Sequence, residues 1–402
     1  MSMFGLAWAN LTHHKLRTLL SALAVGIGIM LLLVSRGLAS GSLGEVNQRM
    51  QNVDAELIIL PAQDNIIFTN GAPFRPSHER HLRRLADERG PLAAAVIPVF
   101  FGQVQMGGQQ QRLFGVEPDQ MELFLGPRRV LEGKLFDRAR AFAERVHGGA
   151  LPPAAMGEPG YAEYLADGLE LVIDERLQRV GGYRLGDAIQ IMGRVFRIVG
   201  IVETGVAGRV FAPLPAMREI VVAGDPYASM YFIKLRPDLD PKRATELFQR
   251  AFGSDVRVEL KTDYGQLLRQ SFASINVYMS ASSGVALVAC FLFILLTVYG
   301  MVVEHTREIG ILKSLGVTRL GLLRLSVLEA LLMSGGGVAI GIGLAFAAQA
   351  LIAWLKPLLT VDLAAGSLVL ALVIGLVGGT ASALYPGYRA ARLDPARALS
   401  TE

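Results

Sequence analysis

The stretch EHTREIGILKSLGVTR, residues 304–319, lies between two of the most apolar parts of the chain. Residues 270–303 before it and residues 330–355 after it contain no Asp, Glu, Lys or Arg. Each apolar segment is long enough to cross a membrane as a helix, which takes about 20 residues at 1.5 Å each for about 30 Å of hydrocarbon. The stretch is therefore predicted to be a short charged helix that connects two membrane spans.

Two further windows without charge, residues 18–35 and 363–388, bring the number of predicted spans to four. They account for a chain of 402 residues that is 52% hydrophobic and only 18% charged, whereas soluble domains carry about 25% charged residues. The first window has an alternative interpretation, because Lys15, Arg17 and the small residues at 37–39 also fit a cleaved signal peptide. Its apolar run is longer than the roughly 7–15 residues of such a peptide, which favours an uncleaved anchor.

The distribution of positive charge predicts the topology. Residues 40–280 are nearly neutral, with 28 Lys and Arg against 29 Asp and Glu. Nine of the remaining 11 basic residues form three clusters, which are Lys15 and Arg17, then Arg307, Lys313, Arg319 and Arg324, then Arg389, Arg392 and Arg397. Four spans put all three clusters on one side, and basic loops face the cytoplasm. Both termini are therefore expected inside and the large loop outside, so the pI of about 9.2 does not indicate nucleic-acid binding.

The large loop shows the pattern of an α+β domain with a mostly antiparallel sheet. Strand-like alternation occurs in four segments, residues 55–61, 94–106, 110–118 and 229–237. Residues 187–203 are predicted to be two strands around a turn at Met192 and Gly193. Helices are expected after Ser77 and after Asp240, where Pro241 suits a first helical turn.

The sequence thus predicts an integral membrane protein with four α-helical spans and an α+β extracytoplasmic domain. The predicted parts are a helix and first span in 1–40, the extracytoplasmic domain in 41–280, and a second membrane part in 281–402 that contains spans 281–303, 328–355 and 364–388, the connecting helix 304–318 and a tail. Residues 138–169, rich in Gly, Pro and Ala, are predicted to be a loop. That loop is either a tolerated surface insertion or an element that faces a partner or substrate.

No motif for covalent chemistry is found, so neither a catalytic residue nor a metal or cofactor site is predicted for this chain. His78 and His81 are three residues apart, whereas a zinc-binding helix needs His at i and i+4. Neither a phosphate-binding G-x-x-x-x-G-K-[ST] loop nor a G-x-S-x-G elbow occurs. The single cysteine, Cys290, is interpreted as a small apolar filler. The span cores lack acidic and basic residues, which disfavours an ion-coupled carrier.

Glycine pairs are the main feature of the last two spans. Gly337 and Gly341 form one G-x-x-x-G pair, and Gly375 and Gly379 form another. Small residues at this spacing allow helix backbones to approach closely in lipid. They predict a tightly packed bundle or a dimer contact, with the general tolerance of membrane helices for glycine as the alternative.

Four segments resemble sequence motifs of one bacterial family and occur in that family's order. They are residues 10–28, 171–203, 304–319 and 385–399. The chain is similar to permeases of the FtsX/MacB type, the membrane subunits of one class of ATP-binding-cassette (ABC) transporter. The resemblance implies a location in the bacterial inner membrane and a homodimer, or a heterodimer with another permease. It also implies an ABC ATPase, expected here as a separate chain that binds the ATP and Mg²⁺. A periplasmic adaptor or substrate protein and membrane lipids are further expected partners.

The resemblance implies that ATP hydrolysis moves the spans and the outer domain, for export or extraction of an amphiphilic or lipid-like substrate. The alternative is a signalling or scaffold subunit that regulates a periplasmic enzyme such as a cell-wall hydrolase. In both versions the connecting helix couples the chain to the ATPase, through Glu304, Arg307, Glu308, Ile309, Gly310, Ile311, Lys313, Leu315 and Gly316. A helix that only covers its own bundle at the membrane surface is the simpler interpretation.

Overall fold

The computed structural model describes residues 15–62, 76–137, 169–222, 227–271, 273–304 and 317–392, together with residues 5, 7, 12, 13 and 74. The chain forms two compact units. Residues 1–42 and 273–402 form the first unit, called here the helix bundle, and residues 43–272 form the second, called the β-sheet domain. Predicted features in 138–168, in 305–316 and after residue 392 lie outside the described residues.

The described helices, in chain order, are α1 Lys15–Gln51, α2 Pro76–Arg84, α3 Met121–Leu125, α4 Glu175–Gly181, α5 Leu214–Val222, α6 Pro241–Phe252, α7 Tyr264–Ser271, α8 Ala273–Glu304, α9 Arg319–Leu355 and α10 Ala365–Arg392. Four of them, α1, α8, α9 and α10, are long and apolar enough to cross a membrane. The predicted span 328–355 lies within α9, which begins at Arg319. The last helix continues through Pro386 to Arg392.

The contacts between these four helices fix their directions. Ser21 and Ser35 of α1 hydrogen-bond to Thr297 and Ser283 of α8, so the two helices are antiparallel. On the other side, α1 and α9 run parallel, and α9 and α10 run antiparallel. Buried side chains of all four helices form one apolar core, among them Val25, Ile29, Leu33, Ile294, Ala330, Val338, Ala345, Ala371 and Ala383. The result is an up-and-down bundle.

The described strands of the β-sheet domain are β1 Leu57–Pro61, β2 Ala86–Asp87, β3 Gly90–Pro91, β4 Ala93–Met106, β5 Gln109–Val116, β6 Val130–Gly133, β7 Leu169–Asp174, β8 Ala188–Ile191, β9 Arg194–Val202, β10 Val210–Pro213, β11 Met230–Leu235 and β12 Val256–Leu260. Ten of them form one sheet in the order β12-β1-β11-β4-β5-β10-β7-β9-β6, with β8 beside β9. The pairs β5/β10 and β7/β9 are parallel and the other pairs are antiparallel. The predicted α+β fold with mostly antiparallel sheet is therefore confirmed.

Turn chemistry explains why the hairpins form where the sequence predicts them. Met192 and Gly193 join β8 to β9 with positive φ angles of 49° and 79°. Gly107 and Gly108 join β4 to β5 with φ of 61° and 70°. Two successive residues with positive φ make the turn that matches the twist of a two-stranded ribbon. The prediction of a turn at Met192 and Gly193 is confirmed.

Two helix starts differ in how well the sequence predicts them. Asp240 caps α6, since its side chain accepts a hydrogen bond from the Arg243 N–H at 3.0 Å, and Pro241 is the first helical residue. Helix α2, in contrast, begins at Pro76, so Ser77 lies inside the helix and is not the predicted cap. Proline fits the first helical position because the N–H it lacks has no partner there.

Candidate functional site

The predicted coupling segment is described only at its two ends. Glu304 is the last residue of α8, and the predicted coupling residues from Arg307 to Gly316 lie outside the described residues. At the far end, Thr318 caps α9, because its hydroxyl accepts a hydrogen bond from the Gly321 N–H at 3.2 Å. The sequence predicts this cap, since threonine at a helix start satisfies a free backbone donor.

The bundle brings basic residues from different helices to the end at which α8 stops and α9 begins. Since α8 is antiparallel to α1, its end at Glu304 is at the same end of the bundle as Lys15. The guanidinium of Arg389 on α10 lies 5.2 Å from the ring centre of Tyr299 on α8. Arg319 begins α9 at this end too. One end of the bundle is therefore basic, as a cytoplasmic surface would be.

The predicted packing glycines of α9 lie against α1. A Cβ atom built on Gly337 would lie 2.6 Å from the Cβ of Val25, and one on Gly341 would lie 2.7 Å from the carbonyl oxygen of Gly26. Both distances are shorter than a van der Waals contact, so any larger residue would push the helices apart. Gly343 of the same helix faces open space.

The glycines of α10 lie against α9 in the same way. A Cβ on Gly375 would overlap the Val338 side chain, and one on Gly379 would overlap Ser334. All four predicted packing glycines thus contact neighbouring helices of their own chain.

Glu329, inside the predicted span 328–355, is a carboxylate only 5% exposed. It lies one residue before the charge-free window 330–355, so the predicted span begins with a buried acid.

A network of charged side chains at the end of α1 was not predicted. Glu45 Oε1 accepts hydrogen bonds from Arg49 at 2.6 Å and from Arg209 at 2.7 Å, and Arg176 approaches it at 3.4 Å. All of these residues belong to the β-sheet domain. We call Glu45, Arg49, Asp174, Arg176 and Arg209 the Glu45 network.

Asp174, at the end of β7, connects this network to helix α4. Its carboxylate accepts a hydrogen bond from the Leu177 N–H at 2.7 Å and lies 3.5 Å from Arg49 Nη2. The Asp174 side chain is completely buried. Burial raises the pKa of this carboxyl group, and the charge of Arg49 opposes that rise. Asp174 thus acts at once as a helix cap and as a counter-ion.

A second buried group of charges centres on Arg218 of α5. Its two terminal nitrogens lie 3.5 Å from Glu117 and 3.6 Å from Glu79, while its Nε donates to the Tyr227 carbonyl at 2.9 Å. Burial raises the pKa of Glu117 to about 7, and the nearby Arg218 charge offsets only part of that effect. The Glu117 carboxyl therefore keeps its proton to a higher pH than an exposed glutamate does.

Sequence reasoning missed both charge groups because their members come from distant parts of the chain. The only local signal was the spacing of Glu45 and Arg49, which puts both on one helix face. That pair lies beyond the charge-free window 18–35, in the part of the chain predicted to be the extracytoplasmic domain. Nothing local connects Glu45 with Arg209, which the sheet topology brings together.

Family comparisons agree with this architecture. A model described as "MacB-like periplasmic core domain" matches residues 18–251, and one described as "FtsX-like permease C-terminal" matches residues 280–395. With four apolar helices and the α+β domain, these matches define a multi-pass membrane protein of the ABC-permease class. The chain belongs to the family of FtsX-like permeases with a MacB-like periplasmic core domain.

Curated relatives include export proteins. The pyoverdine export ATP-binding/permease protein PvdT of Pseudomonas savastanoi is 24% identical over 420 residues, which cover 98% of this chain and 59% of PvdT. The macrolide export ATP-binding/permease protein MacB of Bdellovibrio bacteriovorus is 25% identical over 241 residues, 54% of this chain and 36% of that protein. The chain therefore spans little more than half the length of PvdT.

Solved structures similar to this chain include the periplasmic region of MacB from Actinobacillus actinomycetemcomitans. It is 14% identical and covers 55% of this chain and 94% of the solved one, with a TM-score of 0.33. The extracellular domain of the transporter YknZ from Gram-positive bacteria is also 14% identical, covers 51% and 98%, and has a TM-score of 0.33.

Proposed function

We propose that this permease couples ATP hydrolysis by a separate ABC ATPase to movement of its β-sheet domain, for export or extraction of an amphiphilic or lipid-like substrate. The observation that carries the proposal is the family match over both units. These 402 residues contain no phosphate-binding loop, so the ATP and Mg²⁺ would be bound by the ATPase. PvdT and MacB are named as export proteins, which supports export over signalling.

The ATPase is proposed to dock on residues 304–316. This segment follows α8 directly, at the bundle end that carries Lys15, Arg319 and Arg389. Its charged residues would bind the ATPase surface, and its apolar residues would pack on that surface as a helix face does. In the proposed orientation this end faces the cytoplasm of a bacterial inner membrane, with both termini on that side.

A functional dimer is also proposed, either of two copies or with a second permease. The packing glycines Gly337, Gly341, Gly375 and Gly379 are used within the chain, so a dimer would use other helix faces. A periplasmic adaptor would bind the β-sheet domain. The lipid bilayer would be the source of an amphiphilic substrate.

The proposal is tested by charge removal in the coupling segment. The full chain, purified with its ATPase and reconstituted in lipid, would be compared as wild type, Glu308→Gln and Asp362→Asn. Asp362 is an exposed carboxylate in the connection between α9 and α10, at the opposite end of the bundle. Glu308→Gln should reduce co-purification of the ATPase or its hydrolysis rate, and Asp362→Asn should not.

Unchanged binding and hydrolysis in Glu308→Gln and in Gly310→Leu would remove the coupling role from this segment. Purification of the chain without any ABC ATPase from native membranes would count against the transporter function as a whole.

A further inference from the structure

The last turns of α1 carry Glu45 and Arg49. The Glu45 network connects these turns to β7, to α4 and to the residue before β10. We propose that Glu45 is a positioning residue that fixes the rotation of α1 on the β-sheet domain, so that a movement of α1 reaches β7, β10 and α4. This inference rests on the proposed function, in which ATP hydrolysis moves the helices. It identifies the contact through which that movement would reach the sheet.

The geometry at Glu45 fixes the rotation of the helix because three guanidinium groups converge on one carboxylate. Arg49 comes from the next turn of α1, Arg209 from the residue before β10, and Arg176 from the first turn of α4. Hydrogen bonds between charged groups are short and directional. A step of one residue around the helix axis turns a side chain by about 100°, which would break the contacts of Glu45 with Arg209 and Arg176.

The network continues beyond Glu45 in a closed path. Arg49 lies 3.5 Å from Asp174 and donates to the Gly208 carbonyl at 3.4 Å. The backbone N–H of Asp174 in turn donates to the carbonyl of Arg209 at 2.9 Å. The side chains of Arg49 and Asp174 are 6% and 0% exposed, so this part of the network is shielded from water. Charges in such a place hold their geometry, since losing one partner leaves the others buried without compensation.

A different set of contacts joins the end of α1 to the β12 edge of the sheet. Gln51 donates to the Lys261 carbonyl, and the Lys261 amine donates to the Val53 carbonyl at 2.8 Å. Lys261 directly follows β12, the edge strand farthest from β6. These contacts involve backbone carbonyls and do not depend on Glu45. The β7 and β10 strands inside the sheet and the edge strand β12 are therefore tied to α1 by independent contacts.

This independence gives the positioning role a signature that a purely structural role lacks. Replacement of Glu45 should uncouple the β7 side from α1 and leave the β12 side attached. A simple loss of stability would affect both sides equally. The measurement is hydrogen exchange of the full chain with its ATPase in lipid nanodiscs, with and without ATP trapped by vanadate.

In the wild type, ATP trapping should change amide exchange in α4 and around residues 205–210. In Glu45→Gln this nucleotide-dependent change should fall by about tenfold or more, because the charge that three guanidinium groups share is lost and those groups are left without their counter-ion. Exchange in β12 and the rate of ATP hydrolysis should stay near wild type. Glu45→Asp should restore part of the response. Glu246→Gln removes the same charge from an exposed pair on α6 and should have no effect.

The two possible failures are distinguishable. A wild type without any nucleotide-dependent change in the β-sheet domain contradicts the proposed function itself. A wild-type response that persists in a folded Glu45→Gln protein overturns the role of Glu45 alone. If Glu45→Gln does not fold, Arg176→Gln removes only the longest contact, at 3.4 Å. That variant should show a smaller loss confined to α4, and an unchanged response there would also overturn the proposal.

Discussion

At the scale of single residues, the most informative group is Glu117. It lies beside Arg218 where β5 ends, and burial raises its pKa to about 7. Its ordinary pKa in an unfolded chain is about 4.3. A raised pKa means that the folded state binds the proton more tightly than the unfolded state does. The stability from this proton is fully present below about pH 4.3 and is lost as the pH rises through about 7.

The first prediction follows from the upward shift of the Glu117 pKa. Between pH 4.5 and pH 8 the free energy of unfolding of the β-sheet domain should fall by up to about 3 kcal/mol through Glu117 alone. Glu117→Gln should remove that part of the pH dependence, because the amide stays neutral. Denaturant unfolding of the full chain in detergent, followed by circular dichroism, measures it. The same pH slope in wild type and Glu117→Gln would show that folding does not raise the pKa of Glu117, and Glu246→Gln is the matched control.

A second residue-scale prediction concerns Gly193, which follows Met192 in the turn between β8 and β9. Its φ of 79° is a backbone region that β-branched residues rarely adopt. Gly193→Val should destabilise the domain by about 1–2 kcal/mol, whereas Gly193→Asn should cost less. A lower midpoint in the same denaturant experiment checks it. Equal stability of the two variants would contradict the turn geometry.

At the scale of elements, helix packing in the bundle depends on a few close approaches. Gly341→Leu inserts a side chain where a Cβ already lies 2.7 Å from the Gly26 carbonyl. Overpacking of this kind costs about 1–3 kcal/mol. Gly343→Leu, on the same helix, points into open space and serves as the control. Thermal unfolding in detergent should show a lower midpoint for Gly341→Leu only, and equal midpoints would contradict the packing of α9 on α1.

The elements also show how far the sequence determines this fold. Charge-free windows predicted the four long helices because a membrane span must be apolar along its whole length. Alternation and positive-φ turns predicted the hairpins, such as the one at Met192 and Gly193, because those signals are local. No local signal predicts the parallel pairs β5/β10 and β7/β9, since the two strands of each pair are far apart in the sequence.

The same division applies to the candidate site. The glycine spacing at Gly337 and Gly341 was readable, because a small residue every fourth position marks one face of a helix. The spacing does not predict which helix these glycines contact, since that depends on how the helices assemble. The Glu45 network was hidden for the same reason, as Glu45 and Arg209 meet only in the folded sheet.

At the scale of the whole molecule, the basic end of the bundle is proposed to face the cytoplasm. The connection between α9 and α10 should be outside the cell and the C-terminal tail inside. A cysteine introduced as Thr360→Cys should react with a membrane-impermeant maleimide in spheroplasts, and Thr401→Cys should react only after permeabilisation. The measurement uses a Cys290→Ala background. Labelling of Thr401→Cys in intact spheroplasts would reverse the topology.

Binding of an ABC ATPase to residues 304–316 can be tested with a photoreactive amino acid placed at Ile311 in the full-length chain and activated in native membranes. We expect a crosslink from position 311 to an ABC ATPase, and none from the same amino acid at Thr360. A crosslink from position 311 only to lipid or to the chain itself would contradict the claim and would favour a helix that merely covers its own bundle.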